Sequence, residues 1–414
     1  MSRERVVIVG TGWAGFQLSQ KLDDKKFDIV VVSPEETSPY TPLLASAACG
    51  LFDFSLAEEP VRRKSRQITY YKAVVKDVDF KSKNCKCRSA CDEDDKDFDL
   101  SYDRLILAPG CVPNTFDTPG AVENAYFVRN VKDAKRLQAR MKQILELASL
   151  PGVSDKRQRD LLHIIVVGGG PTGVEITAEI SDLFSQDFAQ LYPTLKGKMS
   201  MSIHDAAPNI LGAFEEALQQ YTIGSFSQRN VKVVTGSKIE KVEAECITTK
   251  DDGRIGCGMV IWTAGNKQSP LVDALDVAKT DKLPRILTDG HLHVLDCQKQ
   301  PLHDVYALGD AADIKKYFLP TTAEVAVQKA RYLIDVFNRD LDGQTPFSYR
   351  QKALVAYIGG HDGVVDGQAD WTGQRAWAAW RSKNLMWTES WRRTVMISAY
   401  WTLDWLGGKE IARR

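Results

Sequence analysis

Two glycine-rich turns constrain this chain more than any other feature. Gly10-Thr11-Gly12-Trp13-Ala14-Gly15 follows the apolar run 5–9 and opens a helical stretch to about residue 22, after which 27–32 reads as a second strand. The pattern recurs at 163–167, followed by Gly168-Gly169-Gly170-Pro171-Thr172-Gly173, a helix to about residue 184 and a strand near 199–204. Each copy is a strand–turn–helix–strand unit with glycines where the chain passes from strand to helix. One such turn alone is a weak signal, because tight glycine turns are common. Two copies, each between an apolar strand and a helix, are not accounted for by ordinary turns.

The physical demand behind such a turn is specific. A dinucleotide pyrophosphate is held by backbone amides at a helix N-terminus, and a Cβ at the positions of close approach blocks it. Two turns therefore imply two dinucleotides, FAD and NAD(P)H. The fold class expected is α/β, with two Rossmann-like dinucleotide-binding domains and a C-terminal helical tail. A dehydrogenase with a single nicotinamide site carries one fingerprint and a separate substrate domain.

Later segments assign the cofactors. Tyr306-Ala307-Leu308-Gly309-Asp310-Ala311 is a strand ending in Gly-Asp, and in two-dinucleotide flavoproteins such an aspartate accepts hydrogen bonds from the ribityl hydroxyls. Leu105-Ile106-Leu107-Ala108-Pro109-Gly110 is a strand returning from the first unit and resembles the Ala-Thr-Gly turn of that class. FAD is therefore assigned to Gly10, Gly12 and Gly15 with Ala108, Gly110, Gly309 and Asp310, and NADH to Gly168, Gly170 and Gly173. A carboxylate after the second strand accepts from a free 2′-hydroxyl and repels a 2′-phosphate. Asp205 stands there in the second unit and favours NADH over NADPH, with His204 beside it offsetting part of the charge. The corresponding residue of the first unit is Ser33, which binds the ribose itself or leaves that to Glu35 or Glu36.

Composition narrows the setting. A chain of 414 residues exceeds what one core usually serves. Residues 1–135 read as the first part of an FAD-binding domain, 160–285 as the NADH-binding domain, 286–345 as the second part of the FAD domain, and 346–414 as a membrane-anchoring or dimerisation region. A polar linker, 151–160, reads as a loop after a helix over 132–147. The formal net charge is +0, which gives no reason to expect a nucleic-acid partner. No window approaches the ~18 apolar residues of a spanning helix. The first apolar run begins almost at the N-terminus and leaves no room for a secretory signal or a long transit peptide. Eight cysteines without a paired framework suit a reducing, intracellular compartment. Cys85, Cys87 and Cys91 lie close together but run into the acidic stretch 92–97 with no histidine nearby, so a hairpin or surface loop is expected there rather than a metal site.

With these residues placed, the chain resembles the type II NADH:quinone oxidoreductases, the non-pumping alternative NADH dehydrogenases. The resemblance runs nearly end to end: Ser33-Pro34, Tyr40-Thr41-Pro42-Leu43-Leu44, Asn114-Thr115-Phe116-Asp117-Thr118-Pro119-Gly120, the second glycine turn through Glu175, Val260-Ile261-Trp262-Thr263-Ala264-Gly265, and Leu319-Pro320-Thr321-Thr322-Ala323-Glu324-Val325-Ala326-Val327-Gln328. Trp380-Arg381, Ser390-Trp391-Arg392-Arg393 and Gly408-Lys409-Glu410-Ile411 extend it into the tail.

The resemblance implies that Thr41, Pro42 and Leu43 line the isoalloxazine, and that Glu175 sits at the nicotinamide end of NADH with Gly265 in the same site. It also implies that Ala323 approaches the flavin through its backbone, that Glu324 and Gln328 lie near the quinone, and that Lys352 lies near the flavin. Position 324 departs from the family, which usually has Gln there. A carboxylate at that point protonates a reduced quinone or changes which quinone fits. Disulfide reductases share the two-dinucleotide layout but carry two cysteines after the first unit, where this chain has Cys49 alone. Three functions follow in order: an NADH:quinone oxidoreductase, a flavoprotein reducing a soluble quinonoid metabolite or small protein, and a redox-sensing NADH-binding flavoprotein.

Residues 371–414 hold seven of the nine tryptophans. At about 100° per residue, Trp377, Trp380, Trp387 and Trp391 share a roughly 80° sector of one helix, flanked by Arg375, Arg381, Lys383, Arg392 and Arg393. Tryptophan with arginine is the composition of a membrane-interface element, and equally of a homodimer interface. The family resemblance favours attachment to a respiratory membrane, the mitochondrial inner or bacterial cytoplasmic one.

Overall fold

The computed structural model describes all residues except 1–2, 64–65, 92–94, 282, 342–344, 389 and 408–414. The motif Gly408-Lys409-Glu410-Ile411 and part of the acidic stretch 92–97 therefore lie outside the described residues.

The chain forms two compact units, one from Met1–Ser38, Glu59–Val112 and Asn266–Gln351, the other from Pro39–Glu58, Pro113–Gly265 and Lys352–Arg414. This division is more interleaved than the linear boundaries read from the sequence. Segment 266–285 joins the first unit because Leu271, Val272, Leu275 and Val277 are buried in that unit's core. Segment 113–135 joins the second, where Ala125–Tyr126 pairs with Met259–Trp262.

The first unit is built on a ten-stranded sheet whose middle strands are Pro301–Ala307, Arg104–Leu107, Glu4–Val9 and Phe27–Ser33. These pair in parallel, with Val9 opposite both Val32 and Leu107, and Ala307 opposite Leu107. The run Val6–Val9 is continuously apolar because the strand is covered on both faces. Val6 and Ile8 enter one core with Leu18, Leu333 and Phe337, while Val7 and Val9 enter the other with Val30, Leu105 and Leu107. The aligned strand ends bring Gly10, Ser33, Ala108 and the 309–310 turn to one edge of the sheet, the position where open parallel sheets bind ligands.

The second unit carries a five-stranded parallel sheet in the order Ala125–Tyr126, Met259–Trp262, His163–Val167, Ser200–Asp205, Val231–Thr235. Val167 stands opposite both His204 and Trp262, so Gly168, Asp205 and Thr263 emerge together. The helix Pro171–Leu183 continues as a π-helical turn, Phe184–Phe188.

Of three local readings two are corrected, and the hairpin at Cys85–Cys87 is observed as expected. Segment 151–160 is not all loop: Ser154 caps a helix, Asp155–Leu161, by accepting from the Arg157 N–H at 3.2 Å, with Asp155 in the first turn where the helix dipole favours it. The Cys85–Cys87 segment pairs with Asp97–Ser101 as a hairpin, and burial pushes the Cys85 thiol up to about 12. The tail is two helices, Gln374–Trp387 and Trp391–Gly407, rather than one striped helix. Trp380 is buried at 3% exposure while Trp391 is 81% exposed, so the proposed stripe is split between interior and surface.

Candidate functional site

In the first unit the three glycines of the turn are needed for two different reasons. Gly10 has φ +100°, and a Cβ there would lie 2.2 Å from the Ala108 carbonyl oxygen. A Cβ on Gly15 would lie 2.0 Å from the Gly10 carbonyl oxygen. These two glycines are demanded by the protein's own backbone. Gly12 has φ −68° and ψ −170°, which any residue adopts, and a Cβ there would meet nothing within 4 Å. Its side chain is excluded by nothing inside the protein, so the space above it suits a ligand. The helix Trp13–Lys21 that begins here has no side-chain cap and no acidic residue in its first turn. Its leading N–H groups and dipole therefore suit an anion.

Ser33 is buried, and its hydroxyl lies 2.9 Å from the Thr11 hydroxyl while its carbonyl accepts from Tyr70 at 2.9 Å. It ties the turn to the strand end. Glu36 pairs with Lys72 at 2.9 Å. Asp310 sits half-buried on the turn Gly309–Ala311, and its carboxylate accepts from the Cys111 thiol at 3.3 Å. Gly110 and Gly309 have φ of +69° and +75°.

The helix Ala323–Arg339 is capped by Thr322, whose hydroxyl accepts from the Val325 N–H at 3.3 Å, and so begins at Ala323. Glu324 accepts from the Gln328 amide at 2.6 Å. Gln328 also clamps the Arg350 backbone, accepting from its N–H at 3.0 Å and donating to its carbonyl at 2.9 Å. These two residues are brought together, and Gln328 has a structural duty besides. The sequence reading missed Lys329, which is 1% exposed and donates to the Ala312 carbonyl at 3.2 Å. Burial lowers its ammonium to about 8, against the pull of Asp313 and Asp310. Its one visible signal was a lysine inside the apolar face formed by Val325, Ala326, Ala330 and Leu333.

The second unit repeats the logic of the first. Gly168 has φ +107°, and its Cβ would lie 2.7 Å from the Ala264 nitrogen; that of Gly173 would lie 1.9 Å from the Gly168 carbonyl oxygen. Gly170, with φ −71° and ψ 178°, again faces space with nothing within 4 Å. Gly265, at φ +66°, packs under the Phe116 ring, 2.5 Å from where a Cβ would stand.

Asp205 accepts from the Gly169 N–H at 2.5 Å and from the Ala207 N–H at 2.7 Å, so it shapes the glycine turn it flanks. His204 does not offset it. Strand alternation sends His204 to the buried side, against Ser237 at 2.9 Å and Ser202 at 3.1 Å, and burial lowers it to about 4. The imidazole is neutral near pH 7, and the Asp205 charge stands undiminished by it. Asp205→Asn removes the charge and keeps one of the two backbone hydrogen bonds, because its amide nitrogen cannot accept the other. It should narrow the NADH to NADPH ratio of kcat/KM by about tenfold, the equivalent of roughly 1.4 kcal/mol; an unchanged ratio in steady-state kinetics would remove Asp205 from ribose recognition.

Glu175 lies half-buried in the helix Pro171–Leu183 and accepts from the Trp380 indole N–H at 2.7 Å and the Tyr357 N–H at 3.4 Å. Burial, reinforced by Glu179, pushes its carboxyl up to about 8. Glu179 accepts from the Ser46 hydroxyl at 2.7 Å, and Asp182 from the Tyr357 hydroxyl and the Arg229 guanidinium. Residues 175, 179 and 182 thus present three carboxyls along one helix face. Thr41–Leu43 is a 3-10 turn in which Leu43 is buried at 1% exposure. Lys352 is exposed in the segment before the strand Leu354–Gly359. A cavity of ≈ 330 Å³ in this unit is elsewhere, lined by Phe184, Phe188, Tyr192 and Met201 at the opposite ends of the strands from the glycine turn. Cys49 is buried, and none of the eight cysteines, all of them described, is in a disulfide.

Two turns of this geometry, each at the ends of parallel strands in its own sheet, define an oxidoreductase built for two dinucleotides. The chain belongs to the pyridine nucleotide-disulphide oxidoreductase family, which it matches over residues 4–330. It is 30% identical over 420 residues to a probable NADH dehydrogenase of Dictyostelium discoideum, an alignment covering 100% of this chain and 92% of that protein. It is also 30% identical over 445 residues to the mitochondrial internal alternative NAD(P)H-ubiquinone oxidoreductase A1 of Arabidopsis thaliana, covering 99% and 86%. Its fold superposes on NDH2 from Plasmodium falciparum in complex with NADH with a TM-score of 0.92 at 25% identity, covering 99% of this chain and 100% of that one.

Proposed function

We propose that this protein is an FAD-dependent NADH:quinone oxidoreductase. The observation that carries the proposal is the pair of turns whose middle glycines, Gly12 and Gly170, face open space at uncapped helix N-termini. FAD belongs to the first unit, through Gly10, Gly12, Gly15, Ser33, Ala108, Gly110, Gly309, Asp310 and the Ala323 backbone. Thr41, Pro42 and Leu43 serve its isoalloxazine, Leu43 through its backbone. NADH belongs to the second unit, through Gly168, Gly170, Gly173, Asp205 and Gly265, with Glu175 at its nicotinamide end.

Bound FAD supplies a hydride acceptor that releases electrons in pairs. The chain's own residues hold and orient. Backbone N–H groups hold each pyrophosphate, and Asp205 selects the ribose. Glu324, with Gln328, gives a proton to a reduced quinone or sets which quinone fits, and Lys352 serves the flavin. Hydride transfer needs alignment rather than a protein acid, so no triad or metal enters. Steady-state turnover of NADH with ubiquinone, menaquinone and soluble benzoquinones, with and without liposomes, tests the reading. Turnover with soluble acceptors alone favours a reductase of a soluble quinonoid, and no turnover with excess NADH favours a redox sensor.

The second tail helix supports the reading that the enzyme works at a membrane surface. Among the described residues no helix is long and apolar enough to cross a membrane. Trp391–Gly407 nonetheless exposes Trp391 (81%), Val395 (58%), Leu403 (63%), Trp405 (83%) and Leu406 (68%). An apolar face of this kind lies in a headgroup layer, attaching the enzyme peripherally to a respiratory membrane. The combined variant Trp391→Ser, Trp405→Ser, Leu406→Ser should keep soluble benzoquinone reduction. It should lose about tenfold or more in liposome flotation and in activity with a long-chain quinone, since each side chain gives up roughly 1.5–3 kcal/mol of burial. If the wild type fails to float and the variant turns a dimer into a monomer, the face is a homodimer interface.

A further inference from the structure

Trp380 is the tryptophan that the composition of the tail assigned to a surface and that the structure commits to the interior. We propose that Trp380 is a positioning residue for Glu175, fixing where that carboxyl points and joining the C-terminal tail to the nicotinamide end of the site. The inference rests on the assignment of Glu175 made above.

The indole is held on its face and on its edge. Its ring stacks on Tyr357 with centroids 4.9 Å apart and planes 22° from parallel. Its N–H donates to the Glu175 carboxyl at 2.7 Å, while the second donor to the same oxygen, the Tyr357 N–H, is longer at 3.4 Å. An indole donates and never accepts, so the short bond sets the orientation of the carboxyl and favours its ionised form. Tyr357 is itself fixed, because its hydroxyl donates to Asp182, which also accepts from Arg229 and from the Gly360 N–H at 3.1 Å.

The charged groups around Glu175 come from two elements. Glu179 lies one turn further along the same helix and raises it, and Lys383 of the tail helix lowers it. The strand Leu354–Gly359 contributes Tyr357, whose hydroxyl is engaged by Asp182, and the helix Leu44–Ala48 contributes only the uncharged Ser46, bound to Glu179. Burial outweighs these donors and keeps Glu175 near 8, so Trp380 works against the dominant effect. The link continues outward. The Arg381 guanidinium lies 4.8 Å from the Trp377 ring centre and 4.2 Å from that of Trp401, so it bridges the two tail helices. The helix with the exposed apolar face is thereby tied to the helix whose Trp380 bonds the Glu175 carboxyl.

Trp380→Phe keeps a ring against Tyr357 and removes the N–H. In the full-length FAD-loaded protein, the infrared carboxyl band lost in Glu175→Gln should titrate about one pH unit higher in Trp380→Phe than in wild type. The pH profile of flavin reduction by NADH should move with it, and Trp380→Phe combined with Glu175→Gln should show the profile of Glu175→Gln alone. If Trp380→Phe does not fold, the wild type still decides. With 15N-labelled tryptophan, one indole resonance should titrate with the Glu175 midpoint and stop titrating in Glu175→Gln. An unmoved carboxyl midpoint in Trp380→Phe, or no titrating indole, overturns the proposal and leaves Trp380 a packing residue. A moved midpoint with flavin reduction in Glu175→Gln identical to wild type at every pH overturns instead the assignment of Glu175 to the nicotinamide end.

Discussion

Gly12→Val is expected to give a folded but colourless protein. Valine is compatible with φ −68° and ψ −170°, and its Cβ meets no protein atom within 4 Å, so the fold has no reason to object. The added branches instead fill the space above the N-terminus of Trp13–Lys21, where a pyrophosphate must approach the backbone. Losing two hydrogen bonds to a charged group, at ~2 kcal/mol each, weakens FAD binding by about a thousandfold. Flavin released on denaturation of the purified protein measures this, with circular dichroism as the check on folding. Gly15→Ala should behave differently, because its Cβ would stand 2.0 Å from the Gly10 carbonyl oxygen and the helix cannot then dock on its strand. A yellow Gly12→Val protein with one FAD per chain would place the cofactor elsewhere and sink the reading of the first turn.

Gly170→Val should separate the two cofactors. Valine suits φ −71° and ψ 178° before a proline, a position that already favours extended backbone. Nothing lies within 4 Å of the new Cβ, so folding and FAD content should be those of wild type. The pyrophosphate of NADH should be excluded, raising the KM for NADH by about a hundredfold or more, the equivalent of roughly 3 kcal/mol. Stopped-flow absorbance gives the answer: dithionite should bleach the flavin normally, and NADH should not. Bleaching by NADH at the wild-type rate means the nicotinamide cofactor does not use this turn.

The structure also changes how the tail must be tested. Truncation after about residue 367 is the direct way to remove the tail. Such a cut takes away Trp380 and the buried Ala376, and with them the partner of Glu175. Substitutions on the exposed face of Trp391–Gly407 avoid that damage.

What the sequence determined by itself was local. A strand–turn–helix junction is specified within about fifteen residues, and the demand for glycine there is a backbone demand, so Gly10, Gly15, Gly168 and Gly173 announce themselves in any context. The same holds for the apolar strands, whose burial on both faces shows as an unbroken run, and for the charge at Asp205. Tertiary structure decided what depends on a distant partner. His204 is adjacent to Asp205 in the chain, yet its charge is settled by burial against Ser202 and Ser237. Lys329 sits beside Gln328 and is buried where the Ala312 carbonyl, from another element, accepts a hydrogen bond from it. The helical wheel placed Trp377, Trp380, Trp387 and Trp391 on one stripe, but the first tail helix ends at Trp387. The Thr388 carbonyl accepts at 2.7 Å from the hydroxyl of Tyr40, which lies far away in the chain, and Ser390 begins a new helix. Periodicity records which residues share a face only while a helix lasts, and where it stops is set by side chains that arrive from elsewhere in the fold.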